Sequence, residues 1–323
     1  MFQTDINHFF QSYDTYFIQQ FMQWISDMGT RTVYLASVMF ILFVLDFRKG
    51  FIALQCLLWA NFFTNCLKEW LHQPRPYHVD ASLKVFEDVG TQVRLNDADA
   101  PSFFAKLPRE SVSAFQGVEE FDPGFPSGHT STAVAFWLSL GIQSKARWFI
   151  LLTALFVLLT MISRLYLGMH FIADVTGGLL LGFTVLALVL FVFQHGRIIA
   201  SWASLQWYKN KYWYLAMGIP PVLMILPNAP VSTLGQLSGI SLGTWFVCKA
   251  AFPNSKAAVW KRLSRFVLAV IIFILIDIFM SRFVPKSELP LWVYVRNTVQ
   301  FFGVFYLALW LNKKLNLFEK PVY

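Results

Sequence analysis

The chain is short of charge. Asp, Glu, Lys and Arg make up 14% of its 323 residues, against about 25% in soluble domains. With 56% hydrophobic residues and a mean hydropathy of +0.52, that deficit excludes an ordinary water-soluble domain and predicts an integral membrane protein. Cysteine is scarce too. Cys56, Cys66 and Cys248 all fall inside apolar stretches, and no Cys-x-x-Cys or Cys-His metal spacing occurs. They read as small buried hydrophobes. Residues 1–7 lack a positive stretch followed by an apolar core, so no cleavable signal peptide is expected. The first true span then serves as the insertion signal. Internal repeats and low-complexity tracts are also missing. The net charge of +8 could suggest nucleic acid. Most basic residues, however, lie in short loops between apolar segments, where they set topology, and no nucleic-acid partner is expected.

What the chain does have is a succession of apolar segments. Residues 8–28 carry Phe17, Ile18, Phe21, Met22 and Ile25 at helical spacing, broken by Gln, Asp and Ser. That pattern predicts an amphipathic helix lying on the membrane surface. Spans are expected at about 31–47 and 51–71 and, after a long hydrophilic segment at 77–125, at about 129–143, 148–167 and 171–194. A polar connector, 196–212, precedes four more, at about 213–229, 236–252, 266–283 and 291–311. Pro220 and Pro221 make the first of these four the weakest. The expected fold class is all-α, a polytopic transmembrane helix bundle. About five spans follow the interfacial helix, and about four C-terminal spans follow them.

Charge asymmetry predicts the orientation. Arg48, Lys49, Lys145, Arg147, Arg197, Lys209, Lys211, Lys249, Lys256, Lys261, Arg262, Arg265, Lys313, Lys314 and Lys320 gather on one side, expected to be cytoplasmic. The opposite loop, 77–125, carries nine acids (Asp80, Glu87, Asp88, Asp97, Asp99, Glu110, Glu119, Glu120, Asp122) against four bases (Lys84, Arg94, Lys106, Arg109). Nine spans place the N-terminus outside and the C-terminus inside.

Three polar stretches lie at the edges of these spans on the non-cytoplasmic side. They are Lys68-x6-Arg75-Pro76, Pro126-Ser127-Gly128-His129, and Ser163-Arg164-x5-His170-x3-Asp174. Cations cost a few kcal/mol at a bilayer centre, so a shared cluster of them at one face points to a phosphate site. Lys68 and Arg75 are seven residues apart, nearly two helical turns, and can point the same way. Asn61, Asn65, Lys68 and His72 form one stripe, read as the wall of the second span facing the site, or alternatively as a polar seam between helices. Residues 127–130 open the third span, where unpaired N–H groups are natural phosphate donors, and Gly128 allows close approach. His170 and Asp174 are four apart, so the carboxylate can hold the imidazole in one tautomer. Arg164 offers a planar fork for phosphate oxygens.

These stretches resemble the three signature motifs of the type 2 phosphatidic acid phosphatases, a superfamily that includes lipid phosphate phosphatases and vanadium haloperoxidases. The resemblance covers residues 50–195, with no substitution at a key position. It implies a membrane phosphatase core at 1–195, a cytoplasmic connector at 196–212 and an added transmembrane region at 213–323, where no motif is recognised. It also implies roles. His170 would be the nucleophile, Asp174 would orient it, and His129 would protonate the leaving group. Lys68, Arg75, Arg164, Ser127 and Gly128 would hold the phosphate oxygens. Phosphoryl transfer is mostly positioning and electrostatics, and no carboxylate cluster suited to Mg²⁺ accompanies the motifs. No metal and no cofactor are therefore expected.

The leading expectation is a metal-independent lipid-phosphate phosphatase in a bacterial inner membrane, with its site facing the periplasm. A lipid phosphotransferase using the same phosphohistidine is the second reading. A lipid transporter or scramblase is the third, resting on the extra spans and on Asp277 deep in one of them. The candidate substrates are phosphatidate, phosphatidylglycerophosphate, undecaprenyl pyrophosphate, a sphingoid-base phosphate and a lipid A phosphate. Gly178 and Gly182, one and two turns past Asp174, are expected to pack the fifth span closely against another helix.

Overall fold

The structure is a computed structural model describing residues 1–87, 100–116, 122–195, 211–248 and 253–319. Several residues of the sequence argument lie outside that set: Asp88, Arg94, Asp97, Asp99, Glu119, Glu120, Arg197, Lys209, Lys249 and Lys320, with most of the connector. The described residues are helices joined by turns and loops, with no named strand among them. The all-α expectation is borne out, and the chain is an integral membrane protein. Phe47–Val79, Arg147–Tyr166, Ile172–Phe193 and Val259–Phe283 are each long and apolar enough to cross a bilayer. Tyr16–Asp27 and Arg31–Leu45 meet the same measure only together, with a 58° bend between them. The other expected spans are helical near their expected places but fall short of that measure.

The chain divides into two compact units, Met1–Tyr34 with Phe63–Leu186, and Leu35–Phe62 with Ala187–Tyr323. Helices α3 (Arg31–Phe40), α4 (Phe47–Leu71) and α10 (Ile172–His195) each contribute to both.

The first unit opens with α1 (Asp5–Gln11) and α2 (Tyr16–Asp27). Thr15 caps α2, its hydroxyl accepting from the Ile18 amide at 3.3 Å. Part of the apolar face of α2, expected to lie on the membrane surface, packs on protein. Ile18 and Met22 pack on Tyr77, Tyr166, Leu167 and Met169, and Ile25 is buried. Tyr16, Phe17 and Trp24 remain exposed. The short helices α5 (Pro76–Val79) and α6 (Arg109–Gln116) lie in the long loop. Then α7 (Gly128–Ala133) continues through a π-helical turn, Val134–Leu138, into α8 (Ser139–Ser144). Helix α9 (Arg147–Tyr166) is the hub on which α1, α2 and α7 pack.

In the second unit α11 (Lys211–Val222) ends just after Pro220 and Pro221, in a short 3-10 turn at Leu223–Ile225. Helix α12 (Val231–Cys248) begins earlier than expected, because Pro230 sets its start. It lies against α14 (Pro290–Lys314), while α13 (Val259–Phe283) packs on α14 as well. Gly235 and Gly243 leave room for α14 backbone. A Cβ on them would stand 2.5 Å from the Tyr294 carbonyl and 2.9 Å from the Phe302 carbonyl. Asp277 accepts a hydrogen bond from Gln300 Nε2 on α14 at 2.9 Å, a neighbouring-helix pairing.

Candidate active site

Every motif residue belongs to the first unit. Lys68 stands in the last turn of α4, which stops at Leu71 with His72 in the left-handed region at φ 46°. The expected two helical turns from Lys68 to Arg75 are therefore corrected. Arg75 lies in extended backbone (φ −91°, ψ 164°) just before α5, where Pro76 fills the first helical position. What joins the two cations is Asp122. Its carboxylate accepts from Arg75 Nη2 at 2.6 Å and from Lys68 Nζ at 3.4 Å. Arg75 Nε also donates to the Asp122 carbonyl at 2.9 Å, and Lys68 Nζ to the Pro123 carbonyl at 2.5 Å. Burial alone would raise the Asp122 pKa, but Arg75 and Lys68 hold it below its ordinary value. Arg75 Nη1 donates to the Met169 carbonyl at 3.1 Å, which ties the first motif to the third. Asn61, expected in the same stripe as Lys68, donates to Thr233 at 3.3 Å.

Ser127 is the N-cap of α7. Its hydroxyl accepts from the Thr130 amide at 3.4 Å and the Thr130 hydroxyl at 3.1 Å. Its own amide donates to the Asp174 carbonyl at 2.9 Å, joining the second motif to the third. Beside Gly128, Thr64 Cγ2 stands 3.6 Å from where a Cβ would be. The His129 ring fills the space beside Gly29, where a Cβ would lie 2.5 Å from its Cδ2.

Arg164 is in the last turn of α9 and is 2% exposed. Its guanidinium donates to Ser26 Oγ at 2.5 Å and to both oxygens of Glu87. The chain then reverses through Gly168, at φ 74° and with the Lys84 carbonyl 2.6 Å from where a Cβ would stand. No other residue suits that turn. His170 was expected on the fifth span, but it precedes α10, which begins at Ile172. Asp174, in the first turn, reaches back. Its Oδ2 accepts from the Phe171 amide at 3.0 Å and from His170 Nδ1 at 3.2 Å. This is a capping arrangement rather than a shared helical face. It directs the Nδ1 proton to the carboxylate and leaves the Nε2 lone pair free. Burial, then Arg75, Arg164, Lys68 and His129, hold the His170 pKa well below the ordinary imidazole value. The ring is therefore neutral, the state in which an imidazole has a lone pair to offer.

Further residues support the site, and the sequence argument missed them. Asn7, fully buried, donates from Nδ2 to the Leu165 carbonyl at 2.8 Å and the His170 carbonyl at 3.0 Å. Gln11 donates to the Tyr166 carbonyl at 2.9 Å. With Ser26, these residues make the N-terminal segment a clamp on the third motif. The contacts join residues from 138 to 163 positions apart, and no local pattern announces them. Among the described residues no group of three or more His, Cys, Asp or Glu is placed to share a metal ion.

The PAP2 superfamily profile matches residues 49–198, and the transmembrane extension of PAP2 superfamily phosphatases matches residues 231–320. The chain belongs to the PAP2 superfamily. The extension falls on the C-terminal helices, where no motif was recognised. A dihydrosphingosine 1-phosphate phosphatase of Schizosaccharomyces pombe is 27% identical over 176 residues, covering 46% of this chain and 39% of that protein. The match thus spans about two fifths of the length of this relative. No solved structure matches the chain.

Proposed function

We propose that the protein is a membrane lipid-phosphate phosphatase that works through a phosphohistidine and needs no metal. The supporting observation is the buried His170–Asp174 pair, its imidazole uncharged, within the field of Lys68, Arg75 and Arg164. In the first step His170 Nε2 attacks phosphorus. A P–N bond forms, the P–O bond to the lipid breaks, and His129 gives its proton to the leaving oxygen. The imidazolium that develops is stabilised by Asp174 through Nδ1–H. In the second step water attacks, His129 takes its proton, the P–N bond breaks, and phosphate leaves. The three cations stabilise the charge that builds on the phosphoryl oxygens, the work Mg²⁺ does in many other phosphotransferases.

Among lipid phosphates we favour a sphingoid-base phosphate, on the activity named for the fission-yeast relative. We place the site on the extracytoplasmic face, on the charge asymmetry of the loops. The bacterial inner membrane suggested by the sequence gains no support from a fungal relative. Residues 1–195 are the proposed catalytic core and 213–323 an addition to it.

The test is phosphate release by purified full-length protein with EDTA present, across a sphingoid-base phosphate, phosphatidate and undecaprenyl pyrophosphate. Release that disappears in His170→Ala, with an acid-labile phosphoryl label trapped on His170, is the expected result. Full release by His170→Ala, or activity that returns only with added Mg²⁺, refutes it. Label retained on an acceptor lipid instead of appearing as free phosphate makes the protein a phosphotransferase.

A further inference from the structure

Two carboxylates from the long loop meet the three cations of the site, and burial separates their roles. Asp122 is 64% exposed at its side chain and can turn into water when a phosphate arrives. Glu87 is 20% exposed, and its partner Arg164 is 2% exposed. Displacing Glu87 would strand one charge of a largely buried pair, which is strongly unfavourable. Glu87 therefore stays in place when substrate binds. It grips Arg164 through both Nη1 and Nη2, while Ser26 accepts from Nη1 and donates to Glu87 Oε1 at 2.9 Å. Arg164 Nε is buried and has no hydrogen-bond partner among the described residues. A buried donor without an acceptor is costly, and a phosphate oxygen is the acceptor the motif calls for.

We propose that Glu87 is the positioning residue of Arg164: with Ser26 it holds the guanidinium by its outer fork, so that the remaining N–H groups, Nε among them, face the substrate phosphate. This rests on the reading of Arg164 as a phosphate ligand. A loop carboxylate beside a phosphate site repels the dianion on charge alone. Its net effect here is favourable because an untethered Arg164 would have to be ordered at each binding event. Tethering also keeps the guanidinium from folding onto the carbonyls of the 165–170 turn.

The probe is orthovanadate, with binding to the purified full chain measured by calorimetry, which needs no turnover. Glu87→Gln keeps the shape and removes the charge. It should weaken vanadate binding roughly 10–100-fold, the usual effect of losing a partner that orients a ligand-binding group. In an Arg164→Ala background the same substitution should change nothing, a non-additivity that a merely structural role for Glu87 does not produce. Tighter binding by Glu87→Gln would mean that Glu87 competes with phosphate, and overturns the proposal. An equal loss in both backgrounds overturns it too. If Arg164→Ala alone binds vanadate as the parent does, the phosphate-site reading itself fails, whatever Glu87 does. Should Glu87→Gln fail to fold, Ser26→Ala removes one contact and leaves the ion pair. It must show a smaller loss in the same direction, again only with Arg164 present, and no loss there overturns the proposal.

Discussion

A single methyl group at position 178 should cripple the proposed phosphatase activity without unfolding the protein. A Cβ on Gly178 would stand 2.5 Å from the Ser127 carbonyl oxygen and 3.1 Å from Thr130 Cβ. Ordinary van der Waals contact for a Cβ begins at 3.4 Å, so one side must yield by about 1 Å. The obstacle cannot swing aside. It is the backbone that caps α7, and the Ser127 amide is itself bonded to the Asp174 carbonyl at 2.9 Å. Overpacking of this kind costs about 1–3 kcal/mol, while a misplacement of about 1 Å can cost about 10²-fold in rate. Gly178→Ala should therefore lower kcat about 100-fold and Tm by a few degrees, with KM changed far less. Gly182→Ala meets Val134 Cβ at 2.6 Å and the Ser131 carbonyl at 2.8 Å, one turn further from Ser127. It should lower Tm about as much and kcat less. Gly218→Ala, with nothing within 4 Å, serves as the control. The assay is phosphate release in detergent beside a thermal melt of each variant. Parent-like turnover and melting by Gly178→Ala would refute the wedge of α10 against the Ser127 loop.

Other consequences are open to measurement. His129→Ala should slow turnover roughly 10²–10⁴-fold, with a smaller loss for aryl phosphates, whose leaving groups need less protonation; equal losses for aryl and alkyl esters would exclude it as the acid. A cysteine placed at the exposed Ser102 should react from outside intact cells with an impermeant thiol reagent, and labelling only after lysis reverses the topology. Asp80, 2.8 Å from His8 and bonded to Ser82, ties α1 to the start of the long loop. Burial would raise its pKa, but Ser82, Thr4 and His8 together hold it well below the ordinary carboxylate value. Its stabilisation is therefore complete above an unfolded pKa of about 3.9 and lost as pH falls further. Asp80→Asn should lower Tm at pH 6, and the gap to the parent should narrow only below about pH 4; a gap that persists unchanged to pH 3 contradicts this.

The helices and the eight motif residues were legible in the sequence for different reasons. Spans announce themselves because a bilayer demands long apolar runs, and α9, α10 and α13 have them. Helix α14 is harder to read, since Arg296, Asn297 and Gln300 lower its hydropathy, and Gln300 finds its partner in Asp277 on another helix. Lys68, Arg75, His129, Arg164, His170 and Asp174 stood out because ionisable groups at span edges need a reason to be there.

The spacing arguments brought these residues together by a path the structure corrects in part. Lys68 and Arg75 meet through Asp122, not along a helix that ends at Leu71, and His170 meets Asp174 through a cap rather than along a helix face. The amphipathic face of α2 was visible, but amphipathicity says only that one side avoids water. Whether that side meets lipid or protein depends on what else is near, and here Tyr77, Tyr166 and Met169 cover Ile18 and Met22 and leave Phe17 exposed. Composition and periodicity by themselves determined the solvent and the helices, because these depend on residue type and on neighbours a few positions away. Only the tertiary structure decided that Asn7, Ser26 and Glu87 hold the site. Hydrogen bonds across 61 to 163 residues of chain leave no periodic trace in it.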